Sequence, residues 1–419
     1  MKRSVLFFGL IMLASSSIAQ STWNQIPSGT DKKLNVVDFP SSTVGYIGGN
    51  DSILLKTTDG GETWSSINYS GVTFMPNGEH IVNLSFINEL IGFMTVGPYT
   101  GTYKTIDGGV TWASINNLST CYNQGLYFFN ENNGFIGGSG CFQGEMVYQL
   151  INGTWSQSTV NTPTWMAENR VVDFDFLNQN SGLGASTSGY ILRTTDGGIN
   201  WDTIPTPGVG QHQLTSVLIV NATLAYAGYQ SSNGGYGLFV SIDGGLTWQG
   251  DPTFATFLYP NFLCLHQSAN GTIYSGGNAS NMSIGLLVES PNDPAIWNYG
   301  IVSNKSINSI SSYDANTVFA VGDSGYVITN HQFTLAVEDD FLEYQDEITV
   351  YPNPTGNELH INLKENMNPT ALRMYTSTGE LSLEKAFTSS LDISGLKPGV
   401  YFLEIQMENT SIRKKIIKH

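Results

Sequence analysis

The 419-residue sequence predicts an all-β protein in two parts, and three observations carry that prediction. Glycine (46), tyrosine (20) and phenylalanine (21) are abundant while only 12% of residues are charged, a balance that suits many short strands joined by tight turns. Tryptophans recur at 23, 64, 112, 155, 201, 248 and 297, separated by 41, 48, 43, 46, 47 and 49 residues. Near residue 348 this recurrence gives way to alternating apolar residues divided by Pro-Asn-Pro, Thr-Gly and Lys-Pro-Gly turns.

In chain order, residues 1–20 read as a signal peptide. They carry a Lys2-Arg3 head, an apolar run from Val5 to Ala14 and small residues at Ser17 and Ala19. The run is too short to span a bilayer, and no later segment is long and apolar enough for a transmembrane helix. The mature chain is expected outside the cytoplasm, secreted or attached to the outer cell surface, where disulfides persist. Cys121 and Cys141, both in Gly/Asn/Ser-rich loop sequence, are read as a disulfide contributing about 3 kcal/mol in the chain-entropy model. Cys264, inside "NFLCLH", reads as a buried thiol. No Cys or His spacing resembles a metal site, and no cofactor is expected.

Within 21–335 each tryptophan interval repeats one order of elements. An apolar strand, an Asn/Gly turn and a glycine-rich second strand come first, as in "GLYFFNENNGFIGG". A third strand such as "YILRTT" then leads into an Asp-Gly-Gly turn, and a fourth starts at the tryptophan, often as Trp-x-x-Ile. Four strands at this period are the signature of a β-propeller blade. The last unit stops after three strands, while "WNQI" at Trp23 stands alone at the start. Six whole blades and one shared between the ends predict a seven-bladed β-propeller closed by the N-terminal strand, which leaves no exposed sheet edge.

The turns "KTTDGGETW", "KTIDGGVTW", "RTTDGGINW" and "VSIDGGLTW" place Asp59, Asp107, Asp196 and Asp243 five residues before Trp64, Trp112, Trp201 and Trp248. Their pattern, Ser/Thr-x-Asp-x-Gly-x-x-Trp, resembles the Asp-box or BNR repeat. The region Trp23 to Phe333 is similar to Asp-box propellers of the photosystem II assembly and stability factor type and, more distantly, to sialidases. Turn chemistry explains the residue types without catalysis: Asp accepts backbone N–H groups, glycine takes angles that a β-carbon forbids, and tryptophan packs on the neighbouring blade. The resemblance implies a structural role for all eight residues. "LINGTW" and "ESPNDPAIW" keep Trp155 and Trp297 but lose the full box.

Enzyme readings are weaker. A sialidase needs three arginines, as that resemblance implies, and this region has only Arg170 and Arg193. The same shortage removes the arginine patch of the photosystem-factor relatives. Other glycoside hydrolases need two carboxylates roughly 5 to 9.5 Å apart. Glu79, Glu168 and Asp251 are available on loops, and nothing in the sequence brings two of them together. No catalytic residue is assigned, although a carbohydrate-active enzyme that is not a sialidase stays open as the alternative. Between Thr22 and Val337 there are 7 basic and 21 acidic residues, which disfavours nucleic acid and anionic lipid as partners.

Binding is therefore the preferred reading, with an unknown glycan or surface protein as ligand. Loops on one propeller face carry Tyr69, Phe74, Tyr99, Tyr122, Trp165, Tyr229, Tyr236, Phe254 and Tyr259, with Arg170 and His212 as nearby sources of positive charge. Trp165 stands outside the tryptophan series, which makes it the first choice. A Cys121–Cys141 bond would hold this face rigid.

Residues 336–347 are acidic and read as a linker. Residues 348–419 predict an Ig-like β-sandwich of about 70 residues. They resemble the type A C-terminal sorting domain of the type IX secretion system of Bacteroidota through Tyr351-Pro352-Asn353-Pro354, Gly379, Leu396 to Tyr401 as "LKPGVY", and the terminal lysines. That resemblance implies export through the type IX machinery, followed by removal of the domain.

Overall fold

Each apolar stretch in the first part pairs with the stretch that follows it, because short Asn/Gly turns leave no other partner within reach. A computed structural model of the chain describes residues 23–74, 80–97, 101–115, 122–140, 144–161, 169–231, 237–251, 254, 260–279, 285–290, 297–331, 348–363, 368–376, 381–407 and 411–419. The signal-peptide reading, the Cys121–Cys141 pairing and Gly379 therefore lie outside the described residues. The chain divides into two compact units, Met1–Gln332 and Phe333–His419. Among the described residues no α-helix occurs, and no helix is long and apolar enough to cross a membrane.

The described part of the first unit holds seven sheets. The first is typical, with strands Leu34–Asp38, Gly45–Gly49, Leu54–Thr57 and Ser65–Ser66 paired in sequence order. The fourth departs from the expected four strands. Thr159–Asn161 runs parallel to Asn200–Pro205 and adds a fifth strand along that edge. A shorter version occurs where Ser70 bridges Thr111 in parallel. In both places a connector leaving one sheet covers the edge of the next, with Thr159 and Ser70 donating their N–H groups to the carbonyls of Ile199 and Val110. The seventh sheet takes its fourth strand from the start of the chain, with Asn24–Ile26 antiparallel to Val327–Thr329.

Second strands are glycine-rich because the sheets pack closely. A β-carbon on Gly48 would lie 2.5 Å from Ile81 Cγ2 of the second sheet, and one on Gly276 2.4 Å from Ile307 Cγ2 of the seventh. The first strand of each sheet lies against the first strand of the next, and that of the seventh lies against that of the first. Side chains of these strands cross between sheets. Asn35 Nδ2 donates to Ile81 O at 2.9 Å, Asn83 Nδ2 to Gln124 O at 3.0 Å, Thr215 Oγ1 to Phe262 O at 2.5 Å and Asn308 Nδ2 to Leu34 O at 2.8 Å.

The second unit has two antiparallel sheets. One contains Ile348–Tyr351, Glu358–Leu363 and Ser390–Asp392, and the other contains Leu381–Ala386, Pro369–Thr376, Gly399–Met407 and Ser411–Lys418. Both contribute to one apolar core, including Leu359, Ile361, Leu372, Met374, Leu403 and Ile405. Asn353 of the Pro-Asn-Pro turn clasps the last strand, donating Nδ2–H to Lys415 O at 2.6 Å and accepting the Ile417 N–H at 2.8 Å.

Candidate functional site

The Asp-Gly-Gly turns are saturated with their own hydrogen bonds. Asp107 accepts Thr111 N–H at 2.9 Å, Thr111 Oγ1–H at 2.6 Å, Thr105 Oγ1–H at 2.8 Å and Val110 N–H at 3.1 Å. These bonds, those from Thr111 foremost, hold its carboxyl down at about 2. Asp243 is held down to about 2 in the same way, by Thr247 first. Each of these carboxylates is tied into its own turn by four hydrogen bonds, three of them on Oδ1, which fits a structural role. Trp112, Trp201 and Trp248 donate their Nε1–H groups to Gly109, Gly198 and Gly245 of their own turns.

The turns also fasten one sheet to the next, which the sequence did not reveal. Lys56 Nζ donates to Gly108 O at 3.5 Å and Arg193 Nε to Gly244 O at 3.1 Å. The basic residue opening one box thus caps a carbonyl of the following box.

A different place is open to a ligand. Every first strand carries a register shift near its start, between Leu34/Val36, Ile81/Asn83, Asn123/Gly125, Val171/Asp173, Leu214/Ser216, Phe262/Cys264 and Ile307/Ser309. A β-bulge leaves one residue out of the ladder and re-aims its side chain. The skipped residues are Asn35, Val82, Gln124, Val172, Thr215, Leu263 and Asn308, and all seven line one cavity of about 470 Å³. That volume falls within the roughly 300–1,000 Å³ of small-ligand sites.

The rest of the lining is polar or basic: Lys33, Asn50, His80, Arg170, Thr187, Gln213 and Gln230, together with Leu214. No Asp or Glu occurs among the described lining residues. Asp323 sits behind them, accepting Asn308 Nδ2–H at 3.0 Å and pairing with Lys33 at 3.7 Å. Arg170 is held by its backbone, whose N–H donates to Thr187 Oγ1 at 3.0 Å, and its guanidinium lies over the Tyr122 ring at 5.5 Å. Three buried polar atoms of the lining lack a partner: Arg170 Nε, His80 Nδ1 and Asn308 Oδ1. Orphaned groups of this kind are costly unless water or a ligand meets them.

Of the residues singled out from the sequence, Arg170 lines the cavity and Tyr122 supports it. Tyr69 donates its hydroxyl to Ser52 O at 2.9 Å and packs with Phe74 on the core of the first two sheets. Tyr229 is buried and stacked on Phe239 at 4.4 Å. His212 is buried against both rings, bonded to Thr206 Oγ1 at 2.8 Å, and burial lowers its pKa, so it supplies no surface charge. Phe254 is buried between Phe262 and Trp297. Tyr99, Trp165, Tyr236, Tyr259, Glu79 and Glu168 lie outside the described residues. Asp251 is buried, with its carbonyl accepting the Phe254 N–H. Cys264 is half-buried rather than fully buried, and desolvation pushes its thiol up to about 12.

Comparison with known proteins follows the same division. Residues 349–419 match the family described as the secretion system C-terminal sorting domain. No curated protein matches the sequence. Among solved structures, the chain is similar to YCF48 bound to D1 peptide, with TM-score 0.56 and 16% identity over 74% of this chain and 97% of that one. It is similar to an ancestral GH74 enzyme, with TM-score 0.56 and 13% identity over 95% of this chain and 64% of that one. It is also similar to the WD40 β-propeller domain of Doa1, with TM-score 0.51 and 13% identity over 75% and 99%. At these identities the likeness is one of fold, and the fold is a β-propeller.

Proposed function

We propose that the chain is an exported seven-bladed β-propeller that serves as a binding or scaffold module outside the cell, delivered by its C-terminal domain. The sorting-domain match supports the route, with residues 1–20 as signal peptide, 21–335 as propeller, 336–347 as linker and 348–419 as an Ig-like domain addressed to the type IX machinery. The strand shared between Asn24–Ile26 and Val327–Thr329 supports closure of the ring, and the saturated Asp-Gly-Gly turns support their reading as Asp-boxes.

The observation that carries the binding reading is the cavity formed by the seven bulged residues, polar and basic in its lining and free of carboxylates among the described residues. A glycoside hydrolase would need two facing carboxylates there. The test is an array of glycans and surface proteins probed with the full chain, its Arg170→Gln variant and its Trp165→Ala variant. Specific binding weakened by Arg170→Gln is expected. Turnover of a glycan with no retained ligand would overturn the proposal in favour of an enzyme.

A further inference from the structure

The charge of the cavity runs against the charge of the molecule. The chain carries a formal net charge of −17, yet the described lining contains Lys33, His80 and Arg170 and no carboxylate. Lys33 is partly neutralised by Asp323 at 3.7 Å. Arg170 has no ion pair among the described residues and keeps a buried, unpartnered Nε. Its guanidinium is pre-oriented by the Tyr122 ring, so little side-chain freedom remains to be lost on binding.

The remaining walls are of two kinds. Gln124 and Gln213 present amides that both donate and accept hydrogen bonds, while Asn35 and Asn308, whose Nδ2–H groups are engaged by Asn50, Ile81, Leu34 and Asp323, offer Oδ1 as an acceptor for hydroxyls. Val172, Leu214 and Leu263, from three successive sheets, give one apolar arc. A ligand that matches all of this carries a carboxylate, several hydroxyls and one apolar C–H face.

Resting on the binding reading above, we infer that the cavity takes a uronic-acid residue of an acidic saccharide, with its carboxylate on Arg170 and its hydroxyls on the ring of amides. A peptide carboxylate would also satisfy the arginine, and its backbone N–H and C=O groups would meet part of the ring of amides. A pyranose offers hydroxyls on every side and so meets more of that ring at once, which makes a peptide acid the competitor to be tested.

Calorimetric titration of the full chain tests this with four probes: trimers of galacturonate and of glucuronate, the methyl ester of the galacturonate trimer, and triglutamate. At least one uronate trimer should bind, and removing its charge or introducing Arg170→Gln should weaken it roughly ten- to a hundredfold, the range of a charge-assisted hydrogen bond. Arg170→Lys should restore part of the loss. Lys104→Gln, the same change in charge at a residue that lies over Phe93 and outside the lining, should leave binding intact. Matching thermal unfolding of the variants shows that a loss is not misfolding. Equal binding of acid and ester, or triglutamate binding as tightly as the uronates, overturns the inference. If no uronate binds while the array yields another ligand sensitive to Arg170→Gln, the ligand class is wrong and the binding reading stands. An array with no ligand at all removes both.

Discussion

At Gly198, φ is +83° and a β-carbon would lie 2.3 Å from Phe135 Cε1 of the preceding sheet. At Gly61 the corresponding ring is Phe319, at 2.5 Å. In these two boxes the second glycine therefore meets two demands, a backbone angle and a socket for a neighbouring ring, whereas Gly109 of another box has nothing closer than 3.6 Å. Only the first was legible, because turn chemistry is local and the ring comes from a distant part of the sequence. Gly198→Ala should cost about 3 kcal/mol, combining left-handed backbone strain with overpacking. Gly210 shares the angle, φ +82°, but has nothing within 4 Å, so Gly210→Ala should cost only about 1 kcal/mol. Urea midpoints of the two variants measure the difference, and equal losses would mean that the socket contributes nothing.

Between elements, half-buried carboxylates latch one first strand to the next. Asp173 Oδ2 accepts the Val217 N–H at 3.0 Å, Asp175 Oδ2 the Ile219 N–H at 2.6 Å and Asp38 Oδ2 the Phe86 N–H at 2.6 Å. Desolvation outweighs these bonds and raises Asp173 to about 7 and Asp175 and Asp38 to about 6. The folded state then holds more protons than the unfolded one from about pH 4 to about pH 7, so stability falls as pH rises through that window. Asp107 and Asp243, held near 2, have the opposite sign: their contribution is full above about pH 4 and is lost as pH falls towards 2. His266, driven by burial to about 4, opposes the latches between about pH 4 and 6.5, so the informative quantity is a difference between proteins. The Asp173→Asn/Asp175→Asn pair should have a melting temperature that declines less between pH 5 and 7.5 than the parent does. Parallel declines would show that these latches do not titrate in the folded state. The latches and bulges escaped the sequence reading for one reason. An extra residue in a strand leaves no mark in composition, and the skipped positions hold Asn, Val, Gln, Thr and Leu without a common type.

On the scale of the whole molecule, the repeat was legible because tryptophan spacing survives differences between units. The lone Trp23-x-x-Ile26 segment and the short last unit pointed to a shared sheet, and Asn24–Ile26 pairs with Val327–Thr329. The candidate site was far less legible, since its lining is assembled from one skipped residue per sheet and only Arg170 stood out beforehand. The proposed ring closure joins these two scales, because Lys33 and Asn35 from the first sheet and Asn308 from the seventh share the cavity wall. The join is held by more than one strand pair. Ser28 Oγ donates to Gly325 O at 2.7 Å, Gly325 N–H to Lys32 O at 2.6 Å, and Phe39 stacks on Phe319 at 4.5 Å. Ile26 is the buried member of the shared strand, at 5% exposure. Ile26→Asp places a carboxylate there and should cost about 3 kcal/mol or more by lost burial and desolvation. If the ring is one cooperative unit, the variant unfolds in a single transition at lower urea and loses cavity binding together with the fold. If the sheets act as an open array, limited proteolysis will cut the first and seventh sheets while the middle ones stay protected. The second pattern would overturn closure and leave the individual sheets intact.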